Sequence, residues 1–154
     1  MAGRQIRMSI DSRIENVGLV GLAVSRLSTL TPISEVGRYQ IELCAVEAVT
    51  NAIVHAYGRE PGHEVEVDVC LDEQKIVLRI SDRGSPMRFE KRTRLDFDWQ
   101  DLSSVPEHGM GLCLINQSMS DAFYEVEDGR NTMTMIKYFN QAPAGVKTND
   151  AAGG

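Results

Sequence analysis

Three places in this 154-residue chain carry residues able to do chemistry. Glu47, Asn51 and His55 recur at steps of four within residues 42–58, ELCAVEAVTNAIVHAYG. Asp82-x-Gly84 lies in the run SDRGSP, and Gly109-x-Gly111 in HGMGL. A four-residue step stacks side chains on one face of a helix. A carboxylate, an amide and an imidazole in such a row either hydrogen-bond a neighbouring strand or loop, or face a ligand. In the second case Glu47 and Asn51 meet a proton and a metal ion. Asp-x-Gly is turn chemistry, with Gly84 free to take positive φ and Pro86 stopping any ladder. Gly109-x-Gly111 feeds a helix start, where backbone N–H groups and the positive dipole end suit an anion. Asp-x-Gly and G-x-G are each common alone. Their order, and the elements they sit on, raise the signal.

The elements that must position these groups follow from periodicity. Residues 42–58 contain no Pro or Gly before the last, and Leu43, Cys44, Val46, Val49, Ile53 and Val54 lie nearly all round. That is a buried helix closed by Gly58, with Ser34 available as the cap at its start. Upstream, Ile6, Met8 and Ile10 alternate with polar residues, which predicts a short strand. Ser12 and Glu15 have capping-box spacing, and a helix runs from there to about Leu30, where Thr31-Pro32 breaks it. Downstream, Val65, Val67, Val69 and Leu71 alternate, as do Ile76, Leu78 and Ile80, around Asp72-Glu73-Gln74. This is an antiparallel hairpin with one buried face. Residues 87–108 have no clean period, and a loop that long is usually functional or mobile. Leu112, Ile115 and Met119 continue at helical spacing. A last hairpin spans residues 122–127 and 132–139. The chain predicts an α+β fold: a two-layer sandwich of a mixed, mainly antiparallel sheet covered on one face by helices. The folded domain covers residues 5–140, and the polar, Gly/Ala-rich residues 141–154 are expected to be a disordered tail.

Composition narrows the function. Hydrophobic residues are 42%, charged residues 25% and the net charge is −6, which suits a soluble domain and argues against direct nucleic-acid binding. No apolar run is long enough to span a membrane, and MAGRQIRMSI lacks the apolar segment of a signal peptide. Cys44, Cys70 and Cys113 read as reduced core thiols, so a cytoplasmic protein is expected.

The set of motifs resembles the GHKL ATP-binding superfamily, with its Bergerat fold, and within it the anti-sigma-factor serine kinases of the RsbW and SpoIIAB type. The N box matches EAVTNAIVHAY, the G1 box DRGSP, the G2 box GMGLCLI and the closing strand NTMTMIKYF. The resemblance covers roughly residues 5–140. It implies that Asn51 coordinates the Mg²⁺ that bridges the ATP phosphates, and that Glu47 is the general base for a substrate serine. It implies that Asp82 accepts from the adenine amino group, with Gly84 letting backbone approach the base. His108, Gly109, Met110, Gly111 and Leu112 would lie at the phosphates, Thr132 near the adenine end, and residues 87–108 would form a lid. His55 is read as structural.

The implied function is an anti-sigma factor and protein serine kinase. It would use ATP and Mg²⁺, phosphorylate a STAS-type anti-sigma factor antagonist, sequester a sigma factor and form a homodimer. The alternative is a nucleotide-dependent protein-binding regulator with little or no phosphotransfer. Two positions depart from the pattern. Gly21 stands where the first helix of the family usually carries a partner-contacting arginine. Met87 replaces the aromatic residue often found after the G1 box.

Overall fold

The computed structural model describes residues 3–87, 92–96 and 109–140. Six strands are present among them: β1 (Arg4–Asp11), β2 (Glu64–Leu71), β3 (Lys75–Asp82), β4 (Arg92–Arg94), β5 (Asp121–Glu127) and β6 (Arg130–Tyr138). They form one sheet in the order β1-β2-β3-β6-β5-β4, and every ladder is antiparallel. The last strand therefore lies in the middle, beside β3. Three helices accompany the sheet: α1 (Val17–Ser28), α2 (Glu35–Asn51) and α3 (Gly109–Ser118).

Strand alternation decides which face is covered. Met8, Val67, Ile80, Met133 and Tyr124 follow one another across the register on the face packed against the helices. From the helices, Val20, Val24, Ile41, Cys44, Val49, Leu112 and Ile115 close the core, each no more than 2% exposed. Transfer of such side chains from water is worth about 1.5–3 kcal/mol each. The other face carries Arg7, Asp68, Arg79, Thr134 and Phe123 in one row. Arg7 Nε binds Asp68 Oδ1 at 2.8 Å, and Arg130 clamps both oxygens of Glu66 at 2.8 Å. The expected α+β two-layer fold is thus the observed one.

Several local expectations are corrected. Ser12 does not cap a helix: its hydroxyl donates to the Glu60 carbonyl and accepts from the His63 N–H at 3.1 Å. A short 3₁₀ turn, Ile14–Asn16, precedes α1 instead. Ser34 does cap α2, accepting from the Gly37 N–H at 3.2 Å. Strand β4 arises inside the stretch read as a loop, because Arg-Thr-Arg pairs by backbone with β5 and shows no apolar alternation. Cys44 is buried, and burial pushes its thiol up to about 12, as befits an inert core residue. Cys70 sits on the open face of the sheet within reach of Arg79, not in the core. The expected tail, residues 141–154, and most of the expected lid lie outside the described residues. No helix among the described residues is long and apolar enough to cross a membrane.

Candidate functional site

Helix α2 positions Glu47 and Asn51 as its sequence predicts, one turn apart and about 6 Å along the axis. The row ends there. Residues Ala52–Ala56 form a π turn, with the Tyr57 N–H bonded to the Ala52 carbonyl at 3.1 Å. His55 stands at the surface, at the rim of the cleft that Asn51 lines. The π turn also aims the Ala56 carbonyl at the loop after β3, where the Ser85 N–H binds it at 2.9 Å. Gly84 is packed so tightly here that a Cβ would collide with that carbonyl. Its φ is not positive. The glycine is required by close approach, which corrects the turn-geometry reading.

Asp82 ends β3 and faces the helices. Its Oδ1 accepts from the Gly84 N–H at 2.9 Å and from Asn131 Nδ2 at 2.7 Å. Asn131 Nδ2 also donates to the Gly84 carbonyl at 3.0 Å. Burial pushes the Asp82 carboxyl above its ordinary value, and the Asn131 and Gly84 donors act against that push. Asp82 and Asn51 line one cleft together with His55, Met87, Tyr124 and Met133. The Tyr124 hydroxyl accepts from the Met87 N–H at 2.9 Å, which fixes one wall. The cleft holds about 30 Å³. That is room for ordered water.

Asn51 Nδ2 is buried without a hydrogen-bond partner among the described residues. A buried unpaired donor costs about 1–3 kcal/mol, and such a group inside a cleft is one that a polar ligand would satisfy. At the other end of the row, a Cβ on Gly111 would strike Glu47 Oε2, with the carboxyl carbon at 3.4 Å. Helix α3 therefore begins against the Glu47 carboxylate. Gly109 opens α3, Met110 is 89% exposed and Leu112 is fully buried in the core. The two apolar side chains are thus not in the cleft, and only their backbone belongs to the helix start. His108 lies outside the described residues.

Thr132 is not brought to this site. Register pairs Thr132 with Ser81 and Asn131 with Asp82, so Thr132 points to the opposite face, 3.0 Å from the Ser81 hydroxyl. Asn131 takes the position expected of Thr132. The sequence held a signal for this: Met133 and Met135 mark the core face of NTMTMIKYF, and Asn131 shares their parity.

A Mg²⁺ fits this residue set only as a shared ion. Among the described residues, no three His, Cys, Asp or Glu side chains cluster to hold a metal. Asn51 offers one hard oxygen, and Mg²⁺ commonly takes its remaining ligands from water and substrate phosphates. The unpaired Nδ2 is a donor and would meet an anionic oxygen, not the ion.

The antiparallel sheet with helices on one face, and the N, G1 and G2 boxes converging beside α2, define a GHKL-type ATP-binding domain. Comparison with known proteins agrees. A family model described as the histidine kinase-like ATPase domain matches residues 10–137. The chain belongs to that family. It is 26% identical over 140 residues to serine-protein kinase RsbW of Listeria monocytogenes (strain EGD-e), covering 89% of this chain and 88% of that one. It is 28% identical over 141 residues to serine-protein kinase RsbW of Bacillus cereus, covering 89% and 86%. Among solved structures, the RsbU and RsbW domains of a Mycobacterium tuberculosis protein superpose with a TM-score of 0.62 at 16% identity. That match covers 90% of this chain and 34% of the longer one, and it speaks to the fold alone.

Gly21 also finds a physical account. It is buried where α1 crosses α2, and a Cβ would lie 3.0 Å from Val46 Cγ2. Any side chain here would press on Val46, which would have to give by a few tenths of an ångström.

Proposed function

We propose that the protein is an ATP-dependent protein serine kinase that also sequesters a sigma factor in the cytoplasm. Its substrate would be a STAS-type anti-sigma factor antagonist, and the working form a homodimer. The observation that carries this reading is the unpaired buried amide of Asn51. It shares a cleft with the held carboxylate Asp82 and sits one helix turn from a second carboxylate, Glu47, which is set against a glycine helix start. The relatives named serine-protein kinase support it.

In this reading the adenine amino group donates to Asp82, and the phosphates run past Asn51 toward the backbone N–H groups that open α3. The Asn51 amide oxygen would help hold a Mg²⁺ ion, which would supply neutralisation of phosphate charge. Glu47 takes the proton of the substrate serine as its oxygen attacks the γ-phosphorus. The bond from that phosphorus to the bridging oxygen breaks, and ADP leaves. The water-excluded floor of Ala48 and Ala52 strengthens each of these contacts.

The test is to incubate the protein with γ-labelled ATP, Mg²⁺ and a panel of candidate antagonist proteins. Label on a serine of one of them supports the kinase. ATP binding without label on any points to the nucleotide-dependent binding regulator.

A further inference from the structure

The Asp82 carboxylate is shared between two tasks. An ionised carboxylate only accepts hydrogen bonds. Its Oδ1 is already engaged by the Gly84 N–H and Asn131 Nδ2, at 2.9 and 2.7 Å. That leaves Oδ2 as the acceptor available to a base in the cleft. Asn131 is 1% exposed, and its second bond, to the Gly84 carbonyl at 3.0 Å, ties the side chain of Asp82 to the loop behind it. One amide thus fixes both the orientation of the carboxylate and the path of the backbone that follows it.

Adenine and guanine differ at the atom such an oxygen would meet. Adenine presents an amino group, a donor. Guanine presents a keto oxygen, an acceptor. A fixed, ionised carboxylate oxygen binds the first and repels the second. A carboxyl that turns freely, or that takes up a proton, can offer an O–H to guanine and loses the distinction. Burial pushes Asp82 toward that protonated form, and Asn131 opposes it. A site with a polar group set for one partner rejects the wrong one strongly, because a buried mismatch is left unpaired.

Resting on the ATP-site reading above, we propose that Asn131 is the positioning residue for nucleotide selection: it holds Asp82 so that the site prefers adenine over guanine. Asn131 acts through Asp82 and is not a catalytic residue.

The experiment is calorimetry of ADP and GDP, each with Mg²⁺, on the full chain. Wild type, Asn131→Leu and Asn131→Thr are compared, with thermal unfolding of each. Wild type should prefer ADP. Asn131→Leu keeps the volume but donates nothing, and the ADP-to-GDP preference should fall by about tenfold or more, with ADP weakened and GDP little changed. Asn131→Thr retains one donor toward Asp82 and should keep an intermediate preference. Equal preference in wild type and Asn131→Leu overturns the proposal. So does an equal loss of both affinities, which is what a merely structural residue would give. If Asn131→Leu does not fold, Asn131→Thr decides: it has lost the bond to the Gly84 carbonyl, and an unchanged preference overturns the proposal. A wild-type protein that binds neither nucleotide overturns the ATP-site reading itself and this inference with it.

Discussion

The Glu47 carboxylate lies against the backbone of Gly111, so close that a Cβ there would overlap Oε2. The contact joins the end of α2 to the start of α3. It makes the glycine a condition for where the carboxylate stands.

Gly111→Ala and Gly84→Ala should therefore fail differently. At Gly111 the obstacle is the tip of a flexible side chain, so Glu47 swings aside and stability changes by less than about 1 kcal/mol, helped by alanine's helix preference. Displacing the base should lower transfer by roughly 10²-fold. At Gly84 the obstacle is the Ala56 carbonyl. Backbone must shift, at a cost of about 1–3 kcal/mol, and ADP affinity should drop with it. Urea unfolding and single-turnover transfer on both variants check this. Equal stability losses would count against it.

Asn51→Leu should stabilise the free protein while disabling it. Removing the unpaired buried donor should add about 1–3 kcal/mol to unfolding stability. The Mg²⁺-dependent part of ADP affinity should vanish. Unfolding in urea without nucleotide, beside calorimetry with and without Mg²⁺, measures both. A less stable variant would show that Asn51 is structural.

Asp82 should leave a signature in the pH dependence of stability. Burial holds its carboxyl above the ordinary 3.8, so the folded state binds that proton more readily than the unfolded chain. Asp82 thus favours the fold in acid, and its contribution is lost as pH rises from below 3.8 through the raised folded value. Asp82→Asn lacks this proton, so its stability relative to wild type should climb over that window and level off toward neutrality. Glu66 works the other way. Arg130 holds it below 4.5, so its contribution is present above 4.5 and fades as pH falls through the lowered value. Both proteins contain Glu66, and the difference between them isolates Asp82. A difference that stays flat with pH would refute the assignment.

Legibility followed from how local each cause was. Glu47 and Asn51 were readable because a four-residue step needs only a helix. The covered sheet face was readable from Val65, Val67 and Val69 because alternation is a property of one strand. The π turn at Ala52–Ala56 was not, since nothing in AIVHAYG marks it. Thr132 was misplaced because the face of β6 depends on its register against β3, which Asn131 and Asp82 reveal only when paired. Gly84 was read as a turn glycine because its real neighbour, Ala56, is distant in sequence.

In the proposed kinase Glu47 is a base and not a structural carboxylate. Glu47→Gln keeps the shape and reach of the side chain but cannot take the serine proton. Single-turnover phosphorylation of the antagonist at saturating ATP, with ATP affinity measured in parallel, tests it most directly. Unchanged affinity is expected, with transfer lowered by roughly 10²–10⁴-fold, a barrier higher by about 3–5 kcal/mol. Transfer at the wild-type rate, or transfer that falls only as affinity falls, would contradict it.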